Sequence, residues 1–297
     1  MDYLVYYLLL KLNKLMLSCC IMTDLTLLFI AGGKSSRFGG EPKMLSKIGP
    51  NDESLFEMSI CQMLGTIHIV HIHLTVNAEN KDKIMEEVYR VTQKYEICSK
   101  ITYNIQEIPH FRTKPWGTAD AVSSASEFID SPFLLLNSDD LYDSKTFEMI
   151  SEQCDVTRNY IIGFKLGTTL QDNKKANRGF ISVNTDGNVI ELQERLNIEK
   201  GNYSPSELEN QYVSVNLLLL QPSVLSSMAH DLQEFKETNK DNTTVEAMLP
   251  NFLNSLIGQG KLELELFKTD GIWNGVTYKE DIIEVRETFT NSLKKKN

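Results

Sequence analysis

Two rhythms of apolar and polar positions alternate from residue 22 onward, and the switches between them mark the elements. Residues 25–31, LTLLFIA, form a continuous apolar run, as expected of a strand buried on both faces. A glycine-rich segment follows. A helix then opens at Ser54, with Glu57 completing a capping box, and closes at Gly65. Residues 67–76 read as a second strand, and Ile84, Val88, Val91 and Tyr95 share one face of the next helix. Residues 101–105 predict a third strand, and Thr118 has the side chain of a helix N-cap. Residues 133–136 predict a fourth buried strand, which runs into Asn137-Ser138-Asp139-Asp140.

This β-α-β order predicts an α/β protein with a Rossmann-like, mostly parallel or mixed sheet and helices on both faces. Ligands on such sheets bind beyond the carboxyl ends of the strands, where segments 32–43 and 137–143 fall. After residue 155 the pattern changes. Segments 160–166, 179–183, 189–193 and 213–220 predict strands with few helices between them, hence a more antiparallel lobe. Helices near 222–236 and 244–257, a strand at 261–268 and a helix from about residue 278 complete the chain. The expected organisation is one domain over 22–297, divided into 22–155, about 156–220 and 221–297.

Residues 3–22 are the most apolar stretch, but Lys11, Asn13 and Lys14 interrupt it. That leaves too short a run for a bilayer span of about 20 residues. Asp2 precedes the stretch where a signal peptide carries positive charge. Residues 1–21 are therefore read as an apolar extension foreign to the native protein, with Met22 as the natural start. A membrane-surface helix is the alternative, and stable insertion is not expected.

A hydrophobic fraction of 41% and a charged fraction of 24% exclude disorder and a membrane bundle. The net charge of −10 argues against a general nucleic-acid or lipid-headgroup footprint, so an anionic ligand needs local positive groups. Five cysteines without CxxC spacing predict neither a disulfide framework nor a zinc site. Cys61, Cys98 and Cys154 read as small core residues of a protein in a reducing cytoplasm. His71 and His73 share a strand face near His68; with no third ligand evident, a half-buried strand accounts for them better than a metal does.

Segment 31–43, AGGKSSRFGGEPK, reverses the sign of the chain locally by placing Lys34, Arg37 and Lys43 among Gly32, Gly33, Gly39 and Gly40. Glycines let backbone N–H groups approach phosphate oxygens, and the cations neutralise them. A Walker A loop is excluded because Leu28 stands where its first glycine belongs. The dinucleotide fingerprint is excluded because Phe38 stands at its third glycine.

What remains resembles the signature of the GT-A-like nucleotidyltransferases, the superfamily of sugar-1-phosphate nucleotidylyltransferases, in which the loop reads approximately A(A/G)G-x-G-(S/T)-R…PK. Here Ala31-Gly32-Gly33-Lys34-Ser35-Ser36-Arg37 precedes Pro42-Lys43, with Ser35 in place of the third glycine. The resemblance implies that Ala31, Gly32, Gly33, Lys34, Ser35 and Ser36 bind a nucleoside triphosphate (NTP), with Gly117 and Thr118 of the G-T-A-x-A element. It makes Arg37 and Lys43 catalytic through their charge and Asp139 catalytic as the Mg2+ ligand. A carboxylate at the mouth of a sheet suits a hard cation on independent grounds. Further along, Gly179, Glu194, Arg195 and Asn216 are implied to bind the acceptor, Arg195 in place of the family's lysine. The match to a less characterised bacterial branch covers nearly all of residues 22–293.

Two departures matter. Trp273-Asn274-Gly275 stands where many members carry a second metal-binding aspartate, leaving Asp270 or Asp281 as candidates. Residues 217–220 also lack a frequent aromatic, so sugar identity does not carry over. The implied activity is Mg2+-dependent condensation of an NTP with a sugar 1-phosphate, releasing pyrophosphate. A phosphocholine or molybdopterin acceptor, or a non-catalytic nucleotide-sugar sensor, are the alternatives.

Overall fold

The computed structural model describes residues 23–33, 40–172, 174–276, 281–283 and 285–286. The apolar extension, Lys34, Ser35, Ser36 and Arg37, and most of the expected final helix lie outside the described residues.

Strand β1 (Thr23–Ala31) is buried on both faces. Leu25, Leu27 and Phe29 point to one core, and Leu28 points to the other. The first core is closed by α1 (Leu55–Met63), α2 (Lys81–Lys94) and α4 (Ser144–Gln153), through residues such as Phe56, Val88 and Phe147. The second is closed by α3 (Thr118–Ser123), α7 (Pro222–Thr238) and α8 (Leu249–Gly258), through Val122, Leu225 and Leu253. Each fully buried large apolar side chain contributes about 1.5–3 kcal/mol, so the two-sided run holds the sheet at the centre. Two short helices, α5 (Leu166–Thr169) and α6 (Pro205–Asn210), belong to the second half of the chain.

β1 pairs in parallel with β2 (Ile67–Val76) and β4 (Phe133–Asn137), and β2 pairs in parallel with β3 (Lys100–Ile105). The expected parallel half is therefore present. β9 (Tyr212–Leu220) then turns the sheet mixed by pairing antiparallel to both β4 and β6 (Tyr160–Lys165). The order is β10-β6-β9-β4-β1-β2-β3, where β10 (Glu265–Lys268) lies parallel to β6. The antiparallel lobe is β7 (Ala176–Val183) paired with β8 (Val189–Ile198) and with β9. A separate two-stranded ribbon joins β5 (Asp140–Tyr142) to β11 (Trp273–Gly275). No helix among the described residues is long and apolar enough to cross a membrane.

Several local expectations are corrected. The helix expected from residue 244 begins at Leu249, because Ala247 exchanges backbone hydrogen bonds with Trp116 and Ala119 and is held extended. The strand expected over 261–268 is confined to Glu265–Lys268, while β8 runs on to Ile198. Ser54 caps α1 through the Glu57 amide, but the Glu57 carboxylate does not close the box. It is taken instead by Arg90, Lys94 and Tyr95. Burial pushes this carboxyl up, yet those three partners outweigh burial and hold it below the usual range. Cys98 is exposed, whereas Cys61 is buried.

His71 and His73 are both buried in β2. Each ring lies 2.7 Å from Thr102 Oγ1, and His73 also meets Asn104 at 2.9 Å and stacks on Phe128. Desolvation lowers both imidazoles, His73 to about 4.

Candidate active site

Two cavities open at the carboxyl ends of the parallel strands, where the loops gather. The larger, about 580 Å³, is lined by Ala31, Gly33, Lys43, Gly117, Thr118 and Asp139. The smaller, about 190 Å³, is lined by Gly179, Glu194, Asn216, Arg178, Trp273 and Asp140. Asn137 and Asp139 line both, so the cavities meet at the end of β4.

Asp139 sits in the turn between β4 and β5. Its carbonyl accepts from the Val276 amide at 2.9 Å, and the Ser138 amide donates to Ile30 at the end of β1. Lys43 follows Pro42, whose φ of −60° starts a short turn of helix over Lys43–Leu45 anchored by buried Met44. That turn brings Lys43 Nζ to 2.7 Å from Asp139 Oδ2, with side-chain exposures of 18% and 36%.

Gly117 supplies a backbone conformation that side chains resist, with φ at +117°. A Cβ there would stand 2.7 Å from the Ala247 carbonyl oxygen. The close approach docks α3 on the 242–248 segment and shapes the larger cavity. Thr118 is not the N-cap of α3; Gly117 occupies that position. The Thr118 hydroxyl instead accepts from the Leu249 amide at 2.9 Å, tying α3 to the start of α8.

Gln106, Lys114 and Glu246 also line the larger cavity, and the sequence reading did not single them out. Gln106 donates its amide to Gly117 and to Asp120, and its carbonyl oxygen fills the space a Cβ at Gly32 would take. Its place directly after β3, at a carboxyl end, was the available signal. Lys114 and Glu246 form an ion pair between segments far apart in the chain, for which no local signal exists.

In the smaller cavity, Asn216 has φ of +61° and sits where the β6–β9 register slips between Ile161 and Gly163. Bulges of this kind re-aim a side chain, and asparagine tolerates the left-handed region better than most residues. Gly179 lies opposite Glu194 across the β7–β8 ladder, leaving room beside the Glu194 carboxylate. Burial raises Glu194, and Arg178 opposes that rise. Arg195 is not part of the lining. Its guanidinium stacks on Phe180 at 4.0 Å and donates to Gln193 at 3.0 Å.

The donors present suit a divalent cation. Asp139 and Asp140 adjoin one another and line the same cavity. Burial, and then the charge of Asp139, raise the Asp140 carboxyl well above its usual range; Asn137 holds it by a 2.7 Å hydrogen bond. A cation between two such carboxylates relieves both penalties, and hard oxygen donors suit Mg2+. The Trp273 indole N–H is close enough to favour the charged form of Asp140, but makes no well-formed hydrogen bond. No third His, Cys, Asp or Glu joins the pair among the described residues. Asp270 and Asp281 do not line either cavity and are paired with Lys165 and Lys174. Gly275 faces Asp140 across the ribbon, and a Cβ there would lie 3.0 Å from Asp140 Oδ1. The Trp273 ring lies closer still, at 2.5 Å, so the space an acid at 275 would use is filled by Trp273 first and by Asp140 beside it.

A mixed sheet of this order, with its loops opening into joined cavities, is the fold of the GT-A-like nucleotidyltransferases. The family model described as nucleotidyl transferase matches residues 28–292, and the chain belongs to that family. Bifunctional protein GlmU of Methanococcus maripaludis strain C5 is 28% identical over 227 residues, which is 76% of this chain and 45% of that protein. The chain thus spans about half the length of the curated relatives it matches. Among solved structures, the inositol-1-phosphate CTP transferase from T. maritima aligns with a TM-score of 0.62 at 14% identity, covering 90% of this chain and 95% of that one. HddC from Yersinia pseudotuberculosis aligns at 0.55 with 17% identity, covering 89% and 99%.

Proposed function

We propose that this nucleotidyltransferase condenses an NTP with a sugar 1-phosphate to give a nucleoside-diphosphate sugar and pyrophosphate. The observation that carries the reading is the meeting of the two cavities at Asn137 and Asp139, with Lys43 paired to Asp139 on the larger one. The larger is sized for a nucleotide and walled by the glycine segment. The smaller offers Glu194, Asn216 and Arg178 to a polyhydroxylated, anionic acceptor.

In this reading an acceptor phosphate oxygen attacks the α-phosphorus in line. A new O–P bond forms while the bond from the α-phosphorus to the bridging oxygen breaks, and pyrophosphate departs with that electron pair. Lys43 neutralises charge on the phosphates, with Arg37 assigned the same task by resemblance. Glu194 and Asn216 orient the sugar. Mg2+, held by Asp139 and Asp140, would supply electrostatic stabilisation of the phosphate oxygens. Rate enhancement here is positioning and charge stabilisation, and no covalent nucleophile is required.

Pyrophosphate release across four NTPs crossed with a panel of sugar 1-phosphates, with and without Mg2+, tests the proposal. One productive pair, lost in Asp139→Asn, supports it. Silence across the panel with NTP still bound would overturn the sugar acceptor.

A further inference from the structure

Arg178 holds a charge-bearing donor that the fold itself does not use. Its side chain lies over the Trp273 ring at 4.5 Å. Nη1 donates to the Asn177 carbonyl at 2.7 Å, and Nη2 donates to the Thr169 carbonyl. The guanidinium is thereby locked in place by two backbone oxygens and an aromatic face. Nε is buried with no hydrogen-bond partner. That atom is a desolvation cost of holding the guanidinium in this place, which an anion in the adjoining cavity would offset through its charge. Arg178 lines the smaller cavity together with Asp139, and its charge is felt by both Asp140 and Glu194.

The neighbouring cation is differently placed. Arg195 faces Arg178 across the β7–β8 ladder, but it is spent on Phe180 and Gln193 outside the cavity.

We infer that Arg178, and not Arg195, binds the phosphate of the acceptor, through the charge of a guanidinium that is fixed on Trp273 and lines the cavity. This deepens the proposed function and rests on it. The planar fork suits a phosphate oxygen, and its prior fixation means that little side-chain freedom is lost on binding. The acceptor cavity then favours phosphorylated sugars over free ones.

The two tryptophans, Trp116 and Trp273, allow a direct test. In a Trp116→Phe background, Trp273 is the remaining tryptophan, and its selectively excited emission reports on its own cavity. Glucose 1-phosphate, inorganic phosphate and glucose are titrated against this protein and against its Arg178→Lys, Arg178→Gln and Arg195→Gln derivatives. The expected result is a saturable change with the two phosphate-bearing probes and none with glucose. Arg178→Gln weakens that binding at least tenfold, Arg178→Lys weakens it less, and Arg195→Gln leaves it unchanged; thermal midpoints serve as the folding control. Equal binding by folded Arg178→Gln, equal binding of glucose, or no response to either phosphate probe overturns the inference. Turnover separates this from failure of the parent reading. Normal pyrophosphate release with an unchanged acceptor KM in Arg178→Gln sinks Arg178 alone. Arg178-dependent phosphate binding without turnover on any NTP pair sinks the sugar-phosphate reaction and leaves the site.

Discussion

Lys43 Nζ lies 2.7 Å from Asp139 Oδ2, joining residues separated by 96 positions, Lys43 on the larger cavity and Asp139 on both. A pair this exposed contributes at most about 1 kcal/mol to stability. Its position, at the junction of nucleotide and acceptor space, is the reason to test it by function.

Asp139→Asn is expected to lower kcat by about 10²–10³, the range for losing one preorganised electrostatic group, with unfolding free energy changed by less than about 1 kcal/mol. Lys43→Met should behave similarly. Pyrophosphate release and chemical denaturation on the same preparations check both halves; retained turnover in Asp139→Asn would place the reacting phosphates elsewhere.

Gly117→Ala forces a side chain into the left-handed region and against the Ala247 backbone. Strain of about 1–3 kcal/mol must be relieved by moving α3 away from the 242–248 segment. The expected outcome is an NTP KM raised by about tenfold with a lower melting midpoint, since each 1.4 kcal/mol is a factor of ten. An acceptor KM that rises while the NTP KM stays constant would show that Gly117 shapes the other cavity.

Asn216 separates backbone from side-chain roles. Asn216→Gly keeps the φ of +61° without strain and removes only the amide. It should raise the acceptor KM while leaving the melting midpoint near wild type. Asn216→Val adds about 1–2 kcal/mol of left-handed strain and should lower the midpoint as well. Identical acceptor kinetics in Asn216→Gly would remove Asn216 from the acceptor site.

His73 predicts an acid sensitivity with a defined sign. Its folded pKa is depressed to about 4 from an ordinary 6.5, burial being the main cause. The unfolded chain therefore binds the proton first as pH falls, and stability is lost between about 6.5 and 4. Unfolding free energy at pH 5 should fall below that at pH 7 by about 2 kcal/mol from this group. Subtracting the same pH series for His73→Gln isolates the term. An identical pH slope in the variant would place the acid sensitivity in other groups.

Strand positions were legible because burial imposes local patterns. Leu25, Leu27, Leu28 and Phe29 must all be apolar once both faces of β1 are covered, and a run of that kind reads directly from the chain. That Gly33, Lys43, Gly117 and Asp139 would gather at one cavity was legible because loops at the carboxyl ends of such strands carry their chemistry in short, dense motifs.

The acceptor cavity was only partly legible. Arg178 and Arg195 offer the same charge on neighbouring strands, and one-dimensional text cannot say which guanidinium is consumed by Phe180 and which is left facing Trp273. Asp140 reads locally as a turn residue. It comes to line the smaller cavity opposite Gly275, which a ribbon joining positions 135 residues apart brings across from it. Hydrophobic period and loop chemistry are set within a few residues of each other, and so they survive in the order of the amino acids. The pairing of distant side chains is set by sheet register and packing, where a shift of one residue turns a side chain to the other face. That information exists only once the strands are in contact.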